Sequence, residues 1–122
     1  MDKKAQYLAL GSEYYKTEQY PQSIAAYEQA LALDDTLLAA YINTAQAQEF
    51  GKQHYEALTT LQKALKYCRS KDLRHIYLPL ARAYRTLNNN DQAMLYAKRA
   101  LLVSDNSSVA HQCHVILGDC LS

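Results

Sequence analysis

The sequence has little of what breaks helices: three Gly and two Pro in 122 residues. It also has no Gly-rich loop of the kind that cradles phosphate and no paired-carboxylate motif. No stretch approaches the roughly eighteen apolar residues a membrane-crossing helix needs, so no span is expected. The opening run, Met1-Asp2-Lys3-Lys4-Ala5-Gln6, is not apolar, so no signal peptide is expected. Cysteine is sparse and odd in number: Cys68, Cys113 and Cys120. That pattern, without a secretion signal, points to a reducing compartment and a cytoplasmic location. Cys113 and Cys120 are seven residues apart, about 10 Å along one helix, too far for a disulfide. Trp is absent and Phe occurs once, yet there are eleven Tyr. An excess of this kind needs a structural reason.

The remaining composition is that of an ordinary globular chain, half apolar and one fifth charged, of a size that fits one domain. Ala, Leu, Gln and Lys are plentiful and favour helix. The net charge of +1 hides an uneven distribution. Residues 1–59 carry four Lys/Arg against eight Asp/Glu, residues 60–100 nine against two, and residues 101–122 none against two. The basic block is therefore in the middle.

Three markers repeat in one register. Tyr7, Tyr41 and Tyr77 are spaced by 34 and 36 residues, as are Ser23, Ala57 and Ala93, and as are Ala30-Leu31, Ala64-Leu65 and Ala100-Leu101. The two extra residues fall near Ser70-Lys71-Asp72. Each unit holds two helical stripes. The first stripes are Tyr7, Leu10, Gly11, Tyr14; Tyr41, Thr44, Ala45, Gln48; and Tyr77, Leu80, Ala81, Tyr84. The second are Ile24, Tyr27, Ala30, Leu31; Ala57, Leu61, Ala64, Leu65; and Ala93, Ala97, Ala100, Leu101. Turns are expected at Gly51 and at Asn88-Asn89-Asn90, with Pro21 opening a helix and Asn90 as an N-cap. Small residues (Gly11, Ala45, Ala81, Ala30, Ala64, Ala100) stand where helices would cross, and Tyr and Leu fill the spaces between. The Tyr residues are thus mainly core, with hydroxyls expected at the rim or on a backbone partner.

These residues resemble the tetratricopeptide repeat family, whose period is 34 and whose pattern is W-x₂-L-G-x₂-Y…A-x₃-F…P. The first unit reads Tyr7-x₂-Leu10-Gly11-x₂-Tyr14, Ser23-x₃-Tyr27, Ala30, with Asp35 in place of the Pro. The second begins more loosely, Tyr41-x₂-Thr44-Ala45-x₂-Gln48, and returns to pattern with Ala57-x₃-Leu61 and Ala64. The third reads Tyr77-x₂-Leu80-Ala81-x₂-Tyr84, Ala93-x₃-Ala97, Ala100. The resemblance covers residues 4–107 and implies an all-α, right-handed α-solenoid of three antiparallel helix pairs. The repeats lie approximately at 4–37, 38–71 and 74–107. A closing helix at 108–121, with the stripe Val109, Cys113, Ile116, Leu117, Cys120 and Leu121, makes seven helices in one domain over 1–122.

The resemblance also implies function: a protein-interaction module of adaptor or co-chaperone type, not an enzyme, without cofactor or metal. First helices line the concave side, where a peptide or helical segment of a partner would lie. The expected groove residues are Leu8, Ser12 and Tyr15; Ile42, Asn43, Gln46, Glu49 and Phe50; and His75, Leu78, Arg82 and Arg85. One end is apolar and aromatic and the other basic, which suits a segment with an apolar and an acidic part. In the subclass that clamps the C-terminal carboxylate of heat-shock chaperones, the corresponding positions here are Leu8, Ser12, Asn43, His75 and Pro79. Only Asn43 matches, so the cations a carboxylate needs are missing. A homodimer formed through the face of the first unit that nothing precedes is the alternative.

Other chemistry is weaker. His111, Cys113, His114 and Cys120 lack zinc-site spacing, and His54 and His75 are isolated. Cys68 has Arg69 and Lys71 nearby to lower its pKa but no base or orienting group to complete a nucleophilic site. Lys63, Lys66, Arg69, Lys71 and Arg74 raise nucleic-acid binding as a minor alternative, against a pI of 7.7. Pro79, inside its expected helix, predicts an irregular third first-helix.

Overall fold

The computed structural model describes residues 2–103 and 107–121, apart from the side chain of Leu121. The junction at 104–106 and the Leu121 end of the closing stripe therefore lie outside the described residues. Seven α-helices are present among the described residues: α1 (Lys3–Lys16), α2 (Tyr20–Leu33), α3 (Leu38–Phe50), α4 (His54–Tyr67), α5 (Arg74–Thr86), α6 (Asn90–Val103) and α7 (Ser107–Leu121). They form two compact units, one ending at Arg69 and one beginning at Ser70. In unit 1, α1 packs on α2, α2 on α3 and α3 on α4; in unit 2, α5, α6 and α7 pack on one another.

The 34- and 36-residue spacings reappear in the backbone. Each helix pair turns through one residue with positive φ: Glu18 (61°), Lys52 (61°) and Asn88 (63°). Each turn closes with the same hydrogen bonds. The amides of Gln19, Gln53 and Asn89 donate to the carbonyls of Tyr14, Gln48 and Tyr84 at 2.9, 2.8 and 2.9 Å. This is the left-handed helix end that usually employs Gly. Here Gly51 has φ of −82°, so Lys52 and not Gly51 takes the strained position. Likewise Asn89, not Asn90, caps α6: its Oδ1 accepts the Gln92 amide at 3.4 Å, and Asn90 is already helical.

Where the paired helices cross, side-chain volumes are traded. In the first pair Tyr27 needs Gly11: a Cβ at Gly11 would lie 2.9 Å from three ring atoms of Tyr27. The Ser23 hydroxyl adds a buried bond to the Gly11 carbonyl at 2.7 Å. In the second pair Ala45 is matched by Leu61, and in the third Ala81 by Ala97, all buried. The third pair recovers volume from tyrosines: Tyr84 and Tyr77 stack on Tyr96 at 5.7 and 6.1 Å. The Tyr41 hydroxyl reaches a backbone partner, donating to the Asp35 carbonyl at 2.8 Å. Burial raises the pKa of Tyr41 to about 12.

The loose start of the second repeat has a structural cost. Gln48 is satisfied, its Oε1 accepting from the Thr60 hydroxyl at 2.7 Å, but the buried Thr44 hydroxyl has no partner among the described residues. The irregularity expected at Pro79 is not found there: α5 runs from Arg74 through Pro79 to Thr86, and the departure from the regular repeat is a 3₁₀ turn, Ser70–Asp72, ahead of the helix. Cys113 and Ile116 of α7 are buried with Leu78, Ala81, Ala93, Ala97 and Ala100 in the unit 2 core.

Candidate protein-binding face

In unit 1 the expected face residues lie on two first helices, α1 and α3. Leu8, Ser12 and Tyr15 on α1 and Ile42, Asn43, Gln46 and Glu49 on α3 are all half-buried, and Phe50 is 61% exposed. Their i, i+4, i+7 spacing puts them one stripe away from the packed residues Gly11 and Ala45. Two contacts tie the helices together. The Tyr27 ring passes Gly11, and its hydroxyl accepts from the Asn43 side-chain amide at 3.3 Å, with Ser12 also within bonding reach. Phe50 packs edge-on to Tyr15 at 6.0 Å.

The aromatic end contains one residue that the repeat register does not assign to the face. Tyr20, at the start of α2, stacks on Phe50 at 5.6 Å and meets Tyr15 at 5.8 Å. The three rings form an aromatic ledge with Phe50 outermost. Burial and the neighbouring Tyr20 and Tyr27 raise the Tyr15 pKa, so its hydroxyl stays protonated. Tyr20 was detectable in principle, since it follows the helix-pair turn directly. Glu49 is less free than its position suggests, because its carboxylate lies 3.1 Å from His54 Nδ1.

Unit 2 departs from expectation on the same register. Leu78 is not a face residue but 9% exposed core, packed with Cys113 and Ile116 of α7. Arg85 is held at 2.9 Å by Asp119 of α7. The closing helix thus does more than cover the end of the array: it occupies the α5 face where Leu78 and Arg85 lie. His75 and Arg82 remain exposed. Cys113 is buried while His111 and His114 are exposed, so the residues considered for a metal do not converge. No disulfide joins Cys68, Cys113 or Cys120. Among the described residues, no helix is long and apolar enough to cross a membrane.

Residues 7–36 and 75–107, together more than half of the chain, match the tetratricopeptide repeat. The chain belongs to the tetratricopeptide repeat family. The unmatched stretch between them contains the loose second repeat with Thr44 and Gln48. No curated protein matches the chain by sequence. Among solved structures, the chain is similar to the TPR2AB domain of yeast Sti1 in complex with pHSP90, at 18% identity and a TM-score of 0.82. That match covers 95% of this chain and 46% of the Sti1 chain, so the present chain spans about half its length. It is also similar to the first TPR of Spaghetti (RPAP3) bound to the HSP90 peptide SRMEEVD, with 20% identity, a TM-score of 0.83 and 98% and 94% of the two chains covered. The TPR2B domain of yeast Sti1 in complex with pHsp70 aligns at 20% identity and a TM-score of 0.84, covering 97% and 95%. At these identities the likeness establishes the all-α tetratricopeptide fold.

Proposed function

We propose that this chain is a non-enzymatic, cytoplasmic protein-interaction module of adaptor or co-chaperone type, holding a peptide or helical segment of a partner on the α1–α3 face of unit 1. One observation carries the reading: Phe50, the chain's one Phe, stands 61% exposed on a ledge with Tyr15 and Tyr20, beside half-buried Leu8 and Ile42. An exposed aromatic cluster with a polar surround is the composition of binding hot spots. The test is capture of partners from lysate of the source cell by the intact chain and by Phe50→Ala and Tyr15→Ala variants, with circular dichroism to verify folding. Loss of a stoichiometric partner on either substitution supports the face; equal capture by all three contradicts it.

The reading does not extend to the carboxylate clamp. Leu8, Ser12, His75 and Pro79 replace cationic or amide positions, and the Asn43 amide is already engaged by Tyr27. The peptide SRMEEVD is therefore expected not to bind, and a titration followed by fluorescence anisotropy checks this directly.

Self-association is the second reading, favoured by α1. Leu10 is 44% exposed, whereas Leu80, its counterpart in the third repeat, is fully buried. An open cleft of about 270 Å³ between α1 and α2 is lined by Tyr7, Leu10, Tyr14, Ala25 and Ala26 with Gln22 and Gln29. Sedimentation equilibrium of the wild type and of Leu10→Glu distinguishes this reading from the first.

A further inference from the structure

The junctions between repeats occupy one register but carry opposite charge. After the first repeat the chain reads Asp34-Asp35-Thr36, and the Asp34 carboxylate is fully engaged: Oδ1 accepts from the Thr36 amide at 3.0 Å and hydroxyl at 2.6 Å, and Oδ2 from Lys4 at 3.2 Å. After the second repeat, the two-residue insertion falls at the three-residue 3₁₀ turn Ser70–Asp72, and the cations are Lys71 and Arg74, with Asp72 between them in sequence. Both cations are exposed, and among the described residues neither has a carboxylate within 4.0 Å. These cations flank an open cleft of about 350 Å³, walled by Leu73, Tyr77 and Val103 and reached by Ser70. Val103 is 44% exposed. The first turn of α5 has no acidic residue and its N-cap Leu73 makes no side-chain bond; Asp72, just ahead of the cap, is the nearest carboxylate in sequence and does not line the cleft.

We propose that this cleft docks an acidic segment of a partner protein, carboxylates on Lys71 and Arg74 and one aliphatic side chain between Leu73, Tyr77 and Val103. The inference rests on the reading of the chain as a protein-binding module and moves acid recognition from Arg85, which Asp119 already holds, to the entrance of α5. Charge complementarity selects the carboxylates, since a guanidinium forks onto them and an ammonium adds a point charge. The aliphatic wall selects a peptide over a nucleic acid, which would ask for stacking rings interleaved with cations and a far more basic chain than one of net charge +1.

The probe is a fluorescein-labelled, end-blocked peptide with one leucine between two pairs of glutamates, titrated with the intact chain. It should bind, with an affinity that falls as salt rises. Reversing both cations (Lys71→Glu with Arg74→Glu) should weaken it roughly tenfold or more, the loss expected from two charge-assisted contacts. Reversing two exposed cations elsewhere, Lys63→Glu with Lys98→Glu, makes the same change in net charge and should leave the affinity within about twofold. Val103→Ser should weaken the peptide at every salt concentration. No binding of the probe, equal loss in both double variants, or tighter binding of a single-stranded oligonucleotide overturns the proposal. If the captured partner depends on Phe50 while the probe ignores Lys71 and Arg74, this inference alone fails. If the probe binds as described but capture ignores Tyr15 and Phe50, the α1–α3 reading alone fails.

Discussion

Leu8, Ile42 and Leu78 hold the same place in three successive repeats, yet the first two are half-buried in unit 1 and the third is core in unit 2. The difference lies in their neighbours. In unit 2, α7 lies along α5, burying Leu78 against Cys113 and Ile116 and pairing Asp119 with Arg85. A repeat's periodicity decides which face a residue occupies; the helix that packs next decides whether that face remains accessible.

Substitutions at this register should break the equivalence most visibly. Leu78→Ala leaves a cavity in the unit 2 core and should cost about 2–5 kcal/mol, whereas Leu8→Ala should cost less than about 1.5 kcal/mol, both read from urea denaturation. A similar cost at both positions would mean that Leu8 is as enclosed as Leu78.

The crossing residues sharpen the comparison between helix pairs. Gly11→Ala drives a methyl into the Tyr27 ring and should destabilise by about 1–3 kcal/mol. Adding Tyr27→Leu recreates the Ala–Leu match of the second pair and should recover part of that loss. An additive double variant would show that the two residues do not share the space.

A smaller effect is expected within the second repeat. Thr44→Val keeps the shape and removes the buried, unpartnered hydroxyl, and should stabilise the protein by about 1 kcal/mol in thermal or chemical melts. A destabilised variant would indicate a bond from that hydroxyl.

The smallest effect is electrostatic and local. Hydrogen bonds from Thr36, then Lys4, hold the Asp34 pKa at about 2, below its ordinary 3.8. A lowered carboxylate pKa means the unfolded chain binds the proton more readily, so its stabilisation is complete above pH 4 and fades as pH falls toward 2. Wild type should therefore be more stable than Asp34→Asn at neutral pH, with the gap closing between pH 4 and 2. A gap that persists to pH 2 would rule out the charge as its source.

The fold was legible in the sequence because three sets of markers shared one register, and the helix stripes face inward among the described residues, apart from Leu10, which is 44% exposed. The turn at Gly51 was legible, but the residues that take positive φ were not, because Glu18 and Lys52 are not residue types that favour a left-handed conformation. On the candidate face, the α1 and α3 residues were legible from helical spacing alone. Leu78 and Arg85 were not, because their accessibility depends on where α7 packs, which no local pattern in α5 encodes. Tyr20 joined the aromatic ledge through a tertiary contact across the helix-pair turn.

On the proposed function, the α1–α3 face of unit 1 holds the partner. Amide hydrogen exchange across the intact chain, alone and with the captured partner at saturation, tests it most directly. Slowed exchange in segments 8–15 and 42–50 is the predicted result. Protection confined to 7–14 and 22–29, with 42–50 unchanged, would place the contact on the opposite side of α1 and contradict the account.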